Sequence, residues 1–558
     1  MRWSPLLAGF VLVLAVGCSD PTQPEMEIPE PALSTGAADD VDILVTSTDD
    51  PSDPDGVTLR EAIEEAGDGD VIGFHPDILP GTITLDQDEG SVRIEENLHI
   101  LGPGPEDLAV SGGGHSRVFS ILPRPGRKTE PLDVSISGIT ARDGTAGGIL
   151  IDNALATLRE VAVVDNESGG AGGGGILNRG TLVLDESTVS GNWADGSGGG
   201  IRTITRGPAS TGPVESRGAL ILNSTIADNS SGGDGGGIHS SSGPTGLDLG
   251  IVNSTFSGNS ATGVGGGVFV DAYAPGGPIS VDLAHATISD NEASTGSGIR
   301  VTEPASSPGG ELPQPVSVRN TIIASGDDGQ GGEAVCDTEA ELEALGTNLA
   351  TDASCGDGFT VVSEDELALG PLGDNGGATL THAPGPGSAG VDAVPEGECT
   401  DLDGNVLERD QRGVVRPQGE GCDVGSVESE ISFLLVDIEV RPGDGDDTAP
   451  INPRSRGGIP VAILSDESLD APEDVNRETL TFGATGEEDS LRRRGPHGEP
   501  QCGEEDVNGN DLEDLVCHFE TQEAGFEPGD QEGILQGSTY EDLGLEGRAE
   551  VRIVGGGP

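Results

Sequence analysis

The chain has 558 residues, 92 of them glycine and only 3% aromatic, and carries a formal net charge of −71. That length exceeds one compact core and calls for several domains or a repeat array. The acidity excludes nucleic acid as a partner, because phosphate binding needs a basic surface, and disfavours adsorption to an anionic membrane. It suits solubility in a salty exterior, and it also allows carboxylates to gather as divalent-cation sites.

In chain order, Arg2 supplies a thin positive start and residues 5–16 form an apolar stretch. The stretch is too short to span a bilayer, so residues 1–17 read as a secretory signal. It ends in Leu14-Ala15-Val16-Gly17-Cys18, which resembles the bacterial lipobox. That resemblance implies cleavage before Cys18 and a lipid on its sulfur, hence export to the cell envelope, at the outer membrane or cell surface. Residues 18–40, rich in Pro and Glu at 19–31, read as a flexible tether.

Thr58 and Glu61 have capping-box spacing, and Leu59, Ala62, Ile63 and Ala66 form one apolar stripe. The spacing predicts a short helix near 58–66 that covers the open end of the structure that follows. The stretch 45–63, ending in Leu59-Arg60-Glu61-Ala62-Ile63, resembles the CSLREA motif that opens many bacterial β-helix proteins. Val57-Thr58 stands where that motif has Cys-Ser, so the family's cysteine is absent. Arg60 and Glu61 read as cap residues.

The middle of the chain repeats. Glycine runs precede Ile176, Ile201, Ile238 and Val268, with a worn copy before Ile299. Ahead of each run an apolar residue stands three before an asparagine: Val163/Asn166, Val189/Asn192, Ile226/Asn229, Phe256/Asn259 and Ile288/Asn291. The asparagines are 26, 37, 30 and 32 residues apart, a unit in the twenties with loops inserted in some copies. Short alternating bursts between Gly and Asn mean strands joined by sharp turns. One unit cannot bury its inner face; stacked units can. The glycines supply the corners, Asn tolerates a left-handed turn, and its amide can bond the next coil in a ladder. The predicted fold is all-β: a right-handed parallel β-helix over 41–330. The paired anchors resemble the repeats of polymorphic outer membrane proteins and other bacterial β-helix surface proteins.

Residues 331–430 are expected as terminal coils. The series from Gly370-Pro371-Leu372-Gly373-Asp374-Asn375-Gly376-Gly377 through Thr381-His382, Asp410-Gln411-Arg412-Gly413 and Cys422-Asp423-Val424-Gly425 resembles the choice-of-anchor Q region that closes such helices. Arg412 can pair with a carboxylate, and His382 reads as a structural histidine. After Cys18 six cysteines remain, falling as sequence neighbours: Cys336 with Cys355, Cys399 with Cys422, Cys502 with Cys517. Local disulfides are expected in an oxidising compartment, although six cysteines permit many connectivities.

From 431 to 558 the texture changes to ordinary alternation, and short strands with Gly/Pro turns predict a small C-terminal β-sandwich. Within it Asp506, Asn508, Asn510 and Asp514 place oxygen donors at positions 1, 3, 5 and 9 of a loop, as structural Ca²⁺ requires. Asp511 at position 6 and Cys517 at position 12 depart from the usual loop, and an acidic turn closed by a Cys502–Cys517 bridge is the alternative. Asp401-Leu402-Asp403-Gly404-Asn405 is a weaker version.

No ordered catalytic constellation stands out. Asp327, Asp328 and Arg202 are candidates for carbohydrate chemistry, but in so acidic a chain such residues arise by chance. The reading is a non-catalytic surface protein contacting a polysaccharide or another surface protein. A carbohydrate-active enzyme and a structural spacer are the alternatives. Trp193, the one tryptophan outside the signal, argues against extensive sugar stacking.

Overall fold

The computed structural model describes residues 41–124, 131–170, 172–205, 218–243, 246–271, 279–302, 316–325, 334–339, 342–385, 387–419, 421–429, 433–442, 448–466, 469–486, 488–495, 498–510, 512–540 and 544–554. The signal, Cys18, the tether, Asp327, Asp328 and Asp511 lie outside them. By contacts the chain divides into two units: one holds residues up to 383 with 392–416 and 423–427, the other holds 384–391, 417–422 and 428 onward.

The first unit is a right-handed parallel β-helix, the hand that parallel crossover connections take. Among the described residues it has a long face of 18 strands, a second face of 11 and a short third face of 4. Every coil stacks on the next with parallel pairing. Ile176, Ile201, Ile238, Val268, Ile299 and Cys336 lie one above another on the long face. Val163, Val189, Ile226, Phe256, Ile288 and Ile323 do the same on the second. All are buried, so each coil gains its apolar burial from its neighbours.

Three columns of left-handed residues turn the chain between faces, and glycine makes only one of them throughout. Gly173, Gly198, Gly235, Gly265 and Gly296 form that column. Between the long and second faces stand Glu160, Glu186, Asn223, Asn253, His285 and Asn320, at φ 50, 46, 47, 45, 49 and 48°. Between the second and third stand Asp165, Gly191, Asp228, Gly258 and Asp290, each directly before a repeat asparagine. The asparagine itself was expected to take the left-handed turn; its predecessor takes it instead. That leaves the Asn side chain free to point inward.

There it builds the expected ladder. Asn229 Oδ1 accepts from Asn192 N at 3.1 Å and from Asn192 Nδ2 at 2.9 Å, while Asn229 Nδ2 donates to Val189 O at 2.9 Å. The same pattern links Asn166 to Asn192, and Asn229 through Asn259 to Asn291. Gly200 is required beside it, because a Cβ would stand 2.7 Å from Gly237 O and 2.9 Å from Asn229 Nδ2.

The helix Leu59–Glu65 covers the start, with Thr58 and Glu61 closing the capping box and Leu59 and Ala62 buried. Arg60 pairs with Asp50 at 2.7 Å and donates to Ser91 O, the cap role expected of it.

At the other end the sequence reading needs correction. Coil strands continue through Cys336–Thr338, Leu342–Leu345 and Asn348–Ala350 to Phe359–Val361, but the stretch after the short helix Glu364–Leu367 adds no coil. It doubles back as a strap along the outside of the second face. Thr225 Oγ1 donates to Leu380 O; Thr255 Oγ1 bonds Gln411 Oε1 at 2.7 Å and Ser426 Oγ at 2.9 Å; Ser426 N donates to Thr287 Oγ1 at 3.0 Å. The corner amides join in, Asn253 Nδ2 donating to Arg409 O and Asn320 Nδ2 to Glu398 O. Lacking the apolar alternation of a coil, the strap is held by hydroxyls and amides instead. Arg412 pairs with Asp410 at 2.9 Å, as expected of it.

Cys336–Cys355 and Cys502–Cys517 are disulfides, with Cα separations of 4.9 and 4.1 Å, and Cys399 and Cys422 are disulfide-bonded too. The second unit contains the expected sandwich. One sheet holds Phe433–Leu435, Gly544–Ile553, Glu532–Thr539 and Val475–Gly483, with Ala449–Ile451 paired to Gly544–Ile553. The other holds Ile438–Val440, Gly458–Ile463, Asp514–Glu520 and Cys502–Glu505. Their shared core includes Ile459, Val461, Phe482, Phe519 and Leu535. Strand Glu532–Thr539 escapes sequence reading because Gly533 and Gly537 interrupt its alternation.

Candidate functional site: a cationic face on the coils

Strand alternation sends the residue after each stacked aliphatic outward. On the long face this makes an outer column of Leu177, Arg202, His239, Phe269, Arg300 and Asp337, one per coil. The His239 and Phe269 rings lie 4.8 Å apart, tilted by 41°. Arg300 is neutralised locally by Asp337 at 2.6 Å and Glu339 at 2.8 Å.

Three other arginines gather where the glycine corner meets this face. Arg202 folds back over Gly172, with Nη1 2.7 Å from where a Cβ would stand, so that glycine makes room for the guanidinium. Arg117 reaches the neighbouring corner, donating from Nε to Ala146 O at 2.9 Å, with Nη2 3.9 Å from the Cβ position of Gly147. Arg179 acts on both. Burial first, and then the Arg179 charge, push the Arg117 and Arg202 guanidiniums below their ordinary range, with Asp271 opposing the shift at Arg202. Burial and the Arg202 charge bring His239 down to about 3. Its ring is therefore neutral at ordinary pH, with Nε2 2.9 Å from Ser241 Oγ. Three half-buried cations crowded together repel one another, and an anion placed among them would relieve that repulsion through charge-assisted hydrogen bonds.

Further along the same face Asp248 and Asp282 stand diagonally on adjacent strands, Asp248 opposite Ser280 and Gly250 opposite Asp282. Burial and then Asp282 raise the Asp248 carboxyl, while Ser280 Oγ donates to Asp282 Oδ2 at 2.6 Å.

Of the residues singled out in the sequence, Arg202 belongs to this cluster. His382 does not: its Nε2 lies 2.9 Å from Ser257 Oγ and its Nδ1 2.7 Å from Gly370 O. That is a nucleophile–base spacing, but Ser257 and His382 are 3% and 2% exposed where the strap meets the coil, so the pair clasps the strap and meets no substrate. Asp506 Oδ1 accepts from Gly509 N and Asn510 N, Asn508 Oδ1 from Asn510 N, and buried Asp514 from Ser465 N and Val507 N. The four residues thus share one tight loop. Sequence reading missed Arg117, Arg179, His239 and Phe269. The signal for the last two was present, because each directly follows a repeat aliphatic.

Strand registers and faces define the first unit as a right-handed parallel β-helix with a strap on its second face. No family model matches the chain, and no curated protein matches it. Among solved structures it is similar to the crystal structure of pectate lyase Pel9A, at 13% identity and a TM-score of 0.36, over 70% of this chain and 96% of that one.

Proposed function

We propose that the protein is an exported, lipid-anchored envelope protein whose long face binds an anionic polysaccharide without cleaving it. The observation that carries this reading is the crowding of Arg117, Arg179 and Arg202 in a chain of net charge −71. Carboxylate or sulfate groups along a glycan offer the counter-charge, and stacked coils offer repeated contacts to a linear ligand. Purified protein is expected to bind polygalacturonate and not amylose, with affinity falling as salt rises. Arg179→Gln should weaken binding about tenfold, the effect of losing one charge-assisted contact. Equal affinity for the two glycans, or no change in the variant, would exclude the reading. Anchoring at Cys18 is tested by mass spectrometry of the N-terminal peptide, which should carry the lipid and lose it in Cys18→Ser.

Asp248 and Asp282 favour a second reading, a glycoside hydrolase. The two carboxylates lie diagonally on one face of adjacent strands, an inverting acid–base pair needs its carboxyls roughly 6.5–9.5 Å apart, and the raised Asp248 would be the acid. New reducing ends from the bound glycan, abolished in Asp282→Asn, would establish hydrolysis over simple binding.

Calcium in the 506–514 loop is part of the same proposal, resting on four oxygen-bearing side chains in one turn. Chelation is expected to lower the melting temperature of the C-terminal sandwich and leave that of the coils in place. An unchanged sandwich would make the loop a turn only.

A further inference from the structure

We infer that the N-terminal half of the second face is a docking groove for a basic polypeptide segment from another protein. The outer column of this face runs through Thr82, Ala109, Thr140, Ala162, Thr188, Thr225, Thr255 and Thr287. From Thr225 onward the strap buries it completely: Thr225 and Thr255 are 0% exposed and Thr287 1%. The contacts there are made by hydroxyls: Thr225 Oγ1 donates to the backbone carbonyl of Leu380, and Thr255 Oγ1 bonds the Gln411 and Ser426 side chains. The strap segment on that column, 376–383, reads Gly-Gly-Ala-Thr-Leu-Thr-His-Ala and carries no acidic side chain.

Beyond the strap the same column is more open, except at Thr140, which is 8% exposed and donates from Oγ1 to Pro105 O at 2.6 Å. Thr82 is exposed, and Ala109, Ala162 and Thr188 are half-exposed. Thr82, Ala109 and Thr140 floor a cleft of about 560 Å³ walled by Pro80 and Pro105, with Glu106, Asp107 and Asp165 on its rims. Arg142 lies along the floor, donating to Thr82 Oγ1 at 3.2 Å with its Nε 3.7 Å from Asp143 Oδ2; against this one cation the cleft carries the three carboxylates of its rims. Small outer residues admit a flat backbone; the Thr82 and Thr188 hydroxyls can donate to its carbonyls; acidic rims select lysine and arginine. An acidic segment of a second copy of this chain would be repelled, so the occupant is a basic strand from another protein.

The test uses the full chain and two fluorescent peptides, Gly-Gly-Ala-Thr-Leu-Thr-His-Ala flanked by lysines or by glutamates. The lysine form is expected to bind at least about tenfold tighter, the effect of one rim charge pair. Glu106→Lys with Asp107→Lys should reverse that preference, and Ala109→Trp, which fills the floor, should weaken binding about tenfold or more. Arg179→Gln should leave peptide binding unchanged, which separates this groove from the long face. Equal binding of both peptides, a preference that survives charge reversal, or displacement of the peptide by a neutral polysaccharide would each overturn the inference.

Discussion

Replacing Asn229 with alanine is expected to cost the coils about 3–5 kcal/mol, because several buried polar groups then lose partners worth about 1–3 kcal/mol each. Asn192 N and Asn192 Nδ2 lose their shared acceptor, and Val189 O loses its donor. Asn229 is fully buried, so water cannot replace what is removed. In a stacked array stability is a sum over neighbouring coils. A break at Asn229 therefore uncouples the coils on either side, and unfolding should split or broaden as well as shift. Trp193 follows Asn192 directly and pairs with Ser230, next to Asn229, so its fluorescence in urea reports the event at the site. Asn405→Ala, at an exposed position, should stay within about 0.5 kcal/mol. If Asn229→Ala also costs less than about 1 kcal/mol, the ladder follows from the coil geometry and does not hold it.

The coils were legible because two signals coincide. The glycine runs mark one corner, and each apolar-x-x-Asn pair marks an inward aliphatic with an inward amide, both repeated at every turn. The second corner was not legible in the same way. Glu160, Glu186 and His285 occupy left-handed positions that their types rarely take, and only register with Asn223, Asn253 and Asn320 identifies them. The strap was misread for a related reason. Its partners Thr225, Thr255 and Thr287 look like ordinary solvent-facing strand residues, and nothing local says that a segment more than a hundred residues later covers them. The cationic cluster depends on loop insertions as well. Arg117, Arg179 and Arg202 come from separate coils of unequal length, so the spacing in sequence does not predict that their charges meet.

Acidification should separate wild type from His285→Asn, the variant becoming the more stable protein as the pH falls below 6.5. His285 is buried at the corner beneath the strap, where its Nε2 meets Asn320 Nδ2 at 3.0 Å. Burial first, then the Arg416 guanidinium, hold its pKa well below 6.5; Arg319 adds to this and the backbone of Asp423 pulls the other way. The unfolded chain binds a proton near pH 6.5 and the folded chain does not. The stability tied to neutral His285 is therefore complete above that pH and drains away below it, at up to about 1.4 kcal/mol per pH unit. His239 drains with the same sign until about pH 3, while half-buried Asp185 and Asp248, with raised pKa values, bind protons in the folded state and act oppositely. Those contributions are common to both proteins, so the difference between their urea midpoints isolates His285. Asparagine fits the backbone, since Asn223, Asn253 and Asn320 occupy the same column at φ 47, 45 and 48°, and its Oδ1 can accept from Asn320 as the ring does. At pH 7.5 the two proteins should match closely. A charged His285 facing Arg416 and Arg319 would push at the strap, so wild type should also become open to proteolysis near residues 398–411 at low pH before the coils unfold. Parallel stability curves from pH 7.5 to 4.5 would show that His285 takes up no excess proton on unfolding and that the strap carries no acid-sensitive clasp.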